Sequence, residues 1–186
     1  MIGIGLSPLF KRGGGGVSYG AYTTAFNTQV LAAGGSLTPS ELSALTLFET
    51  SMGADMAEFD RLWIHGLSNQ VAARISFVNP TSTPITEVNS PTWTAYQGYT
   101  GNGANAYLNT NYNPSNNGVK FTQNNASYGT YITNNNADTA LTCMGVVDPG
   151  IYTFFYPYLV GSQYSYINSA AIDTYGGVPN SKGFRS

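Results

Sequence analysis

Ile151-Tyr152-Thr153-Phe154-Phe155-Tyr156-Pro157-Tyr158-Leu159-Val160 runs into Gly161-Ser162 and out again through Gln163-Tyr164-Ser165-Tyr166-Ile167-Asn168. Two aromatic, β-favouring runs separated by a glycine-first pair predict a hairpin, with Gly161 at the first central position of a two-residue type II′ turn. That register sets Leu159 opposite Tyr164 and Pro157 opposite Tyr166, with Phe155 on their face. Tyr152, Phe154, Tyr156, Tyr158 and Ile167 take the other face. Both faces are aromatic, so one calls for a core and the other for a helix, a sugar or another subunit. Pro157 has no N–H for a central ladder, which places its strand at an edge or a bulge. Tyr152, Tyr156, Tyr158, Tyr164 and Tyr166 are the candidate contact residues of this aromatic unit.

Upstream the same pattern repeats. Short β-favouring runs at 93–100, 106–111, 127–133 and 140–147 alternate with Asn, Gly and Pro turns, and no helical period intervenes. Further strands are expected at 62–64 and 71–78, the second closed by Asn79-Pro80. This spacing predicts a mainly β chain, an antiparallel β-sandwich or jelly roll. Phe184-Arg185-Ser186 offers no evident final strand.

The first third reads differently. Tyr22, Phe26, Val30 and Ala33 fall at helical spacing, and Gly34-Gly35 supplies the stop. Thr38, Pro39 and Glu41 form a capping box with proline at the first helical position, after which Leu42, Leu45, Phe48 and Met52 line one face as far as Gly53. A short further helix is expected over 54–59. Four glycines at 13–16 form a hinge and not a phosphate loop, since no Gly-Lys-Ser/Thr follows. The division expected is an apolar arm and hinge at 1–16, a helical anchoring segment at 17–60, and a β-sandwich domain at 61–186, short of a full sandwich at its C-terminus.

Within that arm Ile2, Ile4, Leu6, Leu9 and Phe10 precede Lys11 and Arg12, the reverse of the charge order in a secretory signal. Apolar residues at a chain end need cover, and a neighbouring subunit is the expected cover; these five are the candidate anchoring residues.

Charge is scarce. Of 186 residues 9 % are charged against 42 % hydrophobic, and the net charge is −2. Between Glu87 and Asp138 the only ordinary acid or base is Lys120. Nucleic acid needs clustered Lys and Arg and is set aside as a partner; no run reaches the length of a membrane span. A surface without charge also lacks the usual guard against self-association, so a homo-oligomer is expected, a trimer before a dimer.

Chemistry-bearing residues are few. Cys143 is alone in a buried-strand context, so no disulfide or zinc cluster can form around it within one chain. His65 is the only histidine. Glu58 and Asp60 have the outline of the alternating carboxylates of sandwich-fold glycoside hydrolases, but Leu62 stands where a third acid belongs. No catalytic residue, metal or cofactor is expected. The Asn and Tyr enrichment suits either sugar stacking or an uncharged soluble coat. Asn125-Ala126-Ser127 matches a glycosylation acceptor, as chance would allow in so Asn-rich a chain.

Several segments in this order resemble a group of virion structural proteins of Bacteroidetes bacteriophages and prophages. They are Ile2-Gly3-Ile4-Gly5-Leu6-Ser7-Pro8-Leu9-Phe10, Leu37-Thr38-Pro39-Ser40-Glu41, Asp60-Arg61-Leu62-Trp63-Ile64 and Ser76-Phe77-Val78-Asn79-Pro80. Gly98-Tyr99-Thr100-Gly101-Asn102-Gly103, Asn109-Thr110-Asn111-Tyr112-Asn113-Pro114 and Asn124-Asn125-Ala126-Ser127-Tyr128-Gly129 complete the set. The resemblance implies a concanavalin A-like sandwich and a non-enzymatic fibre, spike or decoration subunit. Its location would be the virion, assembled in the host cytoplasm, with other virion proteins as partners. The alternative is a lectin-like domain that binds host-surface glycans.

Overall fold

The computed structural model describes residues 18–122, 126–133, 144–148, 151–159, 161–169, 173–177 and 182–185. Helix α1, Ala21–Ala32, buries Thr23, Phe26 and Val30. It ends where Gly34 takes φ +81°, which lets the Gly34 and Gly35 N–H groups return to the carbonyls of Leu31 and Val30. Helix α2, Pro39–Met52, carries the full capping box of Thr38 and Glu41 and stops at Gly53, φ +55°. A 3-10 turn follows over Gly53–Glu58.

The segment expected as a strand at 71–78 is not one. Helix α3, Gln70–Arg74, occupies its first half because the Asn69 side chain accepts the N–H groups of Val71 and Ala72 and so nucleates a turn. The β-branched Val71 and Ile75 suggested extension, and a local cap overrode them. The run at 62–64 contributes only a single bridge, Trp63 to Ser76.

The predicted sandwich is overturned as well. After α3 come two antiparallel ribbons of three-residue strands, β1 (Thr86–Val88) with β4 (Tyr107–Asn109) and β2 (Thr92–Thr94) with β3 (Gly98–Thr100). Helix α4, Pro114–Asn117, and strand β5, Thr130–Ile132, follow. Strands β6 (Met144–Asp148), β7 (Ile151–Leu159), β8 (Ser162–Ser169) and β9 (Asp173–Gly176) form one antiparallel sheet in chain order. Strand β10, Gly183–Arg185, pairs with β5, so the C-terminal residues do make a strand.

Among the described residues no second sheet faces β6–β9, and the chain is mixed α and β, with neither sandwich nor jelly roll. The physical reason lies in what is buried. A sandwich needs two apolar inner faces, yet among the sheet residues whose burial is described Thr153, Gln163 and Ser165 are buried beside Phe155. The apolar core lies earlier, in Phe26, Val30, Leu45, Met56, Leu67, Ala72, Ile75 and Phe77. Phe26 meets Phe77 edge to face at 5.3 Å, and this cluster draws on both sides of residue 60.

The hairpin forms with a different register. Tyr156 pairs with Tyr164, Phe154 with Tyr166, and Leu159 with Ser162, with an irregularity between Tyr156 and Leu159. Tyr164 therefore pairs with Tyr156 and not with Leu159, and it does not share the face of Phe155, which pairs with Ser165. Two facts account for the slip. Gly161 has φ +75° and directly precedes Ser162, which already pairs with Leu159, so the turn closes one residue early. Pro157 cannot donate to the ladder, and the irregularity falls around it.

Candidate functional site

Four of the nine acids end in multiply bonded clasps between distant segments. Glu41 closes the cap on Thr38 and also accepts the Ser68 N–H at 2.6 Å and the Ser68 hydroxyl at 2.8 Å, tying α2 to the approach of α3. Glu49, in the last turn of α2, caps α1 from outside, taking the N–H groups of Tyr22 at 3.1 Å and Thr23 at 3.0 Å and the Thr23 hydroxyl at 3.0 Å. Helix α1 has no acid in its first turn and a glycine at its N-cap, so the donors freed there are served by α2. Gly20 leaves room for this contact, because a Cβ there would push the Glu49 carboxylate aside.

Asp60 makes the densest clasp. Its carboxylate accepts three successive backbone N–H groups, from Val119, Lys120 and Phe121, at 2.9 to 3.1 Å, and the Tyr112 hydroxyl at 2.9 Å. Arg61 lies over the Tyr112 ring at 5.1 Å, and Lys120 sits 3.8 Å from Glu58. The 112–121 segment is thereby fastened to the end of the 3-10 turn.

Glu87 gathers the fourth cluster. Gln70 Nε2 and the Tyr99 hydroxyl each donate to Oε1 at 2.8 Å, and Arg74 Nε is 3.8 Å away. Tyr99 stands edge-on to His65 at 5.5 Å, and His65 Nδ1 bonds the Ala73 carbonyl at 2.9 Å. Gly98, at φ +90°, brings its backbone against the His65 Cβ.

Protonation states follow from these contacts. Burial acts to raise the Asp60 carboxyl, but the N–H groups of Phe121 and Val119, the Tyr112 hydroxyl and the Lys120 N–H outweigh it and hold Asp60 below the ordinary aspartate value. Glu41 is lowered in the same way, burial opposing and the Thr38 and Ser68 donors prevailing. Burial raises the phenols of Tyr99 and Tyr112, each helped by its carboxylate partner. Burial also lowers His65, against the Ala73 carbonyl. Each of these groups is pushed deeper into the state it already holds at neutral pH. A general acid or base needs the opposite, a group poised near the working pH.

Of the residues singled out in the sequence, Glu58 pairs with Lys120, Asp60 is consumed by its clasp, and His65 is a wall of the Glu87 cluster. Among the described residues no group of three or more His, Cys, Asp or Glu could hold a metal ion. No described helix is long and apolar enough to cross a membrane. Ile2, Ile4, Leu6, Leu9, Phe10, Asn125 and Cys143 lie outside the described residues, as do the side chains of Tyr152, Tyr156, Tyr158 and Tyr166. The clasps of Glu49 and Asp60 left no local trace in the sequence that would name their distant donors.

The outer faces of α1 and α2 form the remaining surface of note. Helix α1 has no charged residue, and the two charges of α2, Glu41 and Glu49, are both spent inward. Thr28, Ser43, Thr46, Thr50 and Ser51 return their hydroxyl protons to carbonyls four residues back. Leu31 and Leu47 stand 57 % and 68 % exposed among them. No protein-family model, curated protein or solved structure matches this chain.

Proposed function

We propose that this chain is a non-enzymatic structural subunit of a bacteriophage particle, a fibre, spike or decoration protein. It works as a homo-oligomer, a trimer before a dimer, and joins other virion proteins through its N-terminal arm. The observation that carries the assembly reading is the uncharged outer surface of α1 and α2, with Leu31 and Leu47 exposed and the helix acids turned inward. Such a surface offers nothing to repel a neighbour and apolar area to gain by covering. The locked protonation states of Glu41, Asp60 and His65 support a scaffold over a reaction centre. The assignment to a phage particle rests on the resemblance of the segments quoted above.

Sedimentation of the full chain beside a Leu31→Glu/Leu47→Glu double variant tests the assembly reading. The unmodified chain should sediment as an oligomer and the variant, still folded by circular dichroism, as a smaller species. An unmodified chain that is monomeric at micromolar concentration would overturn it.

A further inference from the structure

Two Asn-Gly pairs occur in the chain, Asn102-Gly103 and Asn117-Gly118, and the structure treats them oppositely. The Asn102 carboxamide oxygen accepts three backbone N–H groups, from Ala104 at 3.0 Å, Asn105 at 3.0 Å and Ala106 at 2.9 Å. Its amide nitrogen donates to the Asn105 side-chain oxygen at 3.1 Å, and Asn105 is itself held by Asn89 through its carbonyl. The Gly103 N–H makes no hydrogen bond among the described residues, and Gly103 takes φ +75° with open space where a Cβ would stand. At the second pair the Gly118 N–H is spent on the Pro114 carbonyl at 2.9 Å. The Asn117 oxygen there accepts only the Asn113 N–H.

Three N–H donors converging on one carbonyl oxygen form an oxyanion hole: they withdraw electrons from the carbon and stabilise the negative oxygen that appears when a nucleophile adds. We infer that Asn102 is a self-modification site, converted through attack of the Gly103 nitrogen on its side-chain carbon. Water or hydroxide removes the Gly103 amide proton, and the N–Cγ bond forms as charge collects on the cradled oxygen. The Cγ–Nδ2 bond then breaks, and the nitrogen takes up a proton and leaves as ammonia. Water opens the resulting five-membered imide to a carboxylic acid, so the net change is amide plus water to acid plus ammonia.

The acid that forms with the normal backbone linkage keeps an oxygen under the same three donors, now as charge-assisted bonds. It also places a negative charge in the stretch from Glu87 to Asp138, where Lys120 is otherwise the only charged residue. The modification is a one-way charge tag on an exposed loop.

The test incubates the full folded chain at mildly alkaline pH, with a parallel sample in urea. Chymotryptic peptides are read by mass spectrometry for the amide-to-acid mass change, using Asn102→Asp as the product standard. In the folded chain Asn102 should convert at least about tenfold faster than Asn117, equivalent to a barrier difference of about 1.4 kcal/mol, and in urea the two rates should converge. If Asn117 keeps pace in the folded chain, or if Asn102 converts more slowly folded than in urea, the inference is overturned.

Discussion

Tyr112 donates its phenolic proton to Asp60 Oδ2 at 2.9 Å, joining positions 52 residues apart. The same oxygen also takes the N–H groups of Val119 and Phe121. Replacing Asp60 by Ala orphans these donors together, and hydrogen bonds to a charged group are worth about 1.5 to 3 kcal/mol each in net terms. Because the donors can turn to water once the loop is free, Asp60→Ala should cost about 2 to 4 kcal/mol in total. Asp60→Asn, which keeps one acceptor oxygen, should cost less. Urea denaturation ranks the two, and equal losses would show that the charge and not the acceptor geometry matters.

Stability should fall with acid. Asp60 and Glu41 have folded-state values below those of the unfolded chain. Their contribution is therefore fully present above the unfolded carboxylate range and is lost as pH drops through the folded values. His65, held neutral by burial, acts in the same direction at higher pH, since the unfolded chain binds its proton more readily. Thermal melts should fall first near the ordinary histidine value of 6.5 and again below the carboxylate range. The His65→Ala variant should lose the first step only.

The outside cap on α1 makes a sharper mutational test. Glu49→Ala should cost about 1 to 2 kcal/mol, the range of a lost N-cap, although the residue belongs to another helix. Gly20→Ala should act through the same carboxylate, because its methyl would displace Glu49 from the Tyr22 and Thr23 N–H groups. In the Glu49→Ala background Gly20→Ala should then become nearly harmless, and a double-mutant cycle by chemical denaturation reads that coupling.

Phe77 is fully buried between α1 and α2, in edge contact with Phe26 and 6.1 Å from the Phe48 ring. Phe77→Ala should cost about 3 to 5 kcal/mol. Tyr131→Ala, at an exposed ring on β5, should change stability by less than about 0.5 kcal/mol. A reverse order in denaturation midpoints would mean the strands and not the helical half dominate folding.

Removal of residues 1–16 should leave this core intact, since its first members are Tyr22 and Phe26. Circular dichroism should show retained helix, and the truncated chain should fail to enter its assembly. Normal incorporation would place the anchor elsewhere.

The helical third was legible because its signals are local. Thr38, Pro39 and Glu41 announce α2 within four residues, and Gly34 and Gly53 stop their helices through backbone geometry that a side chain disfavours. The strands of the aromatic hairpin were equally legible, but their register was not. Gly161 is compatible with more than one turn position, and only pairing along the whole ladder chooses between them. The sandwich failed for a related reason. Alternating short β-favouring runs describe strands one at a time and do not say whether a second sheet will exist to cover them.

What the sequence determined by itself was therefore the ends of α1 and α2, the placing of β7 and β8, and the scarcity of charge. Tertiary structure alone decided where the acids go. Glu49 reaches Tyr22, Asp60 reaches Tyr112 and 119–121, and Glu87 reaches Gln70 and Tyr99, across separations of 12 to 61 residues. A carboxylate carries no mark of its distant donors, because hydrogen-bond partners are selected by the packing that brings them within reach, and that packing is a property of the folded chain.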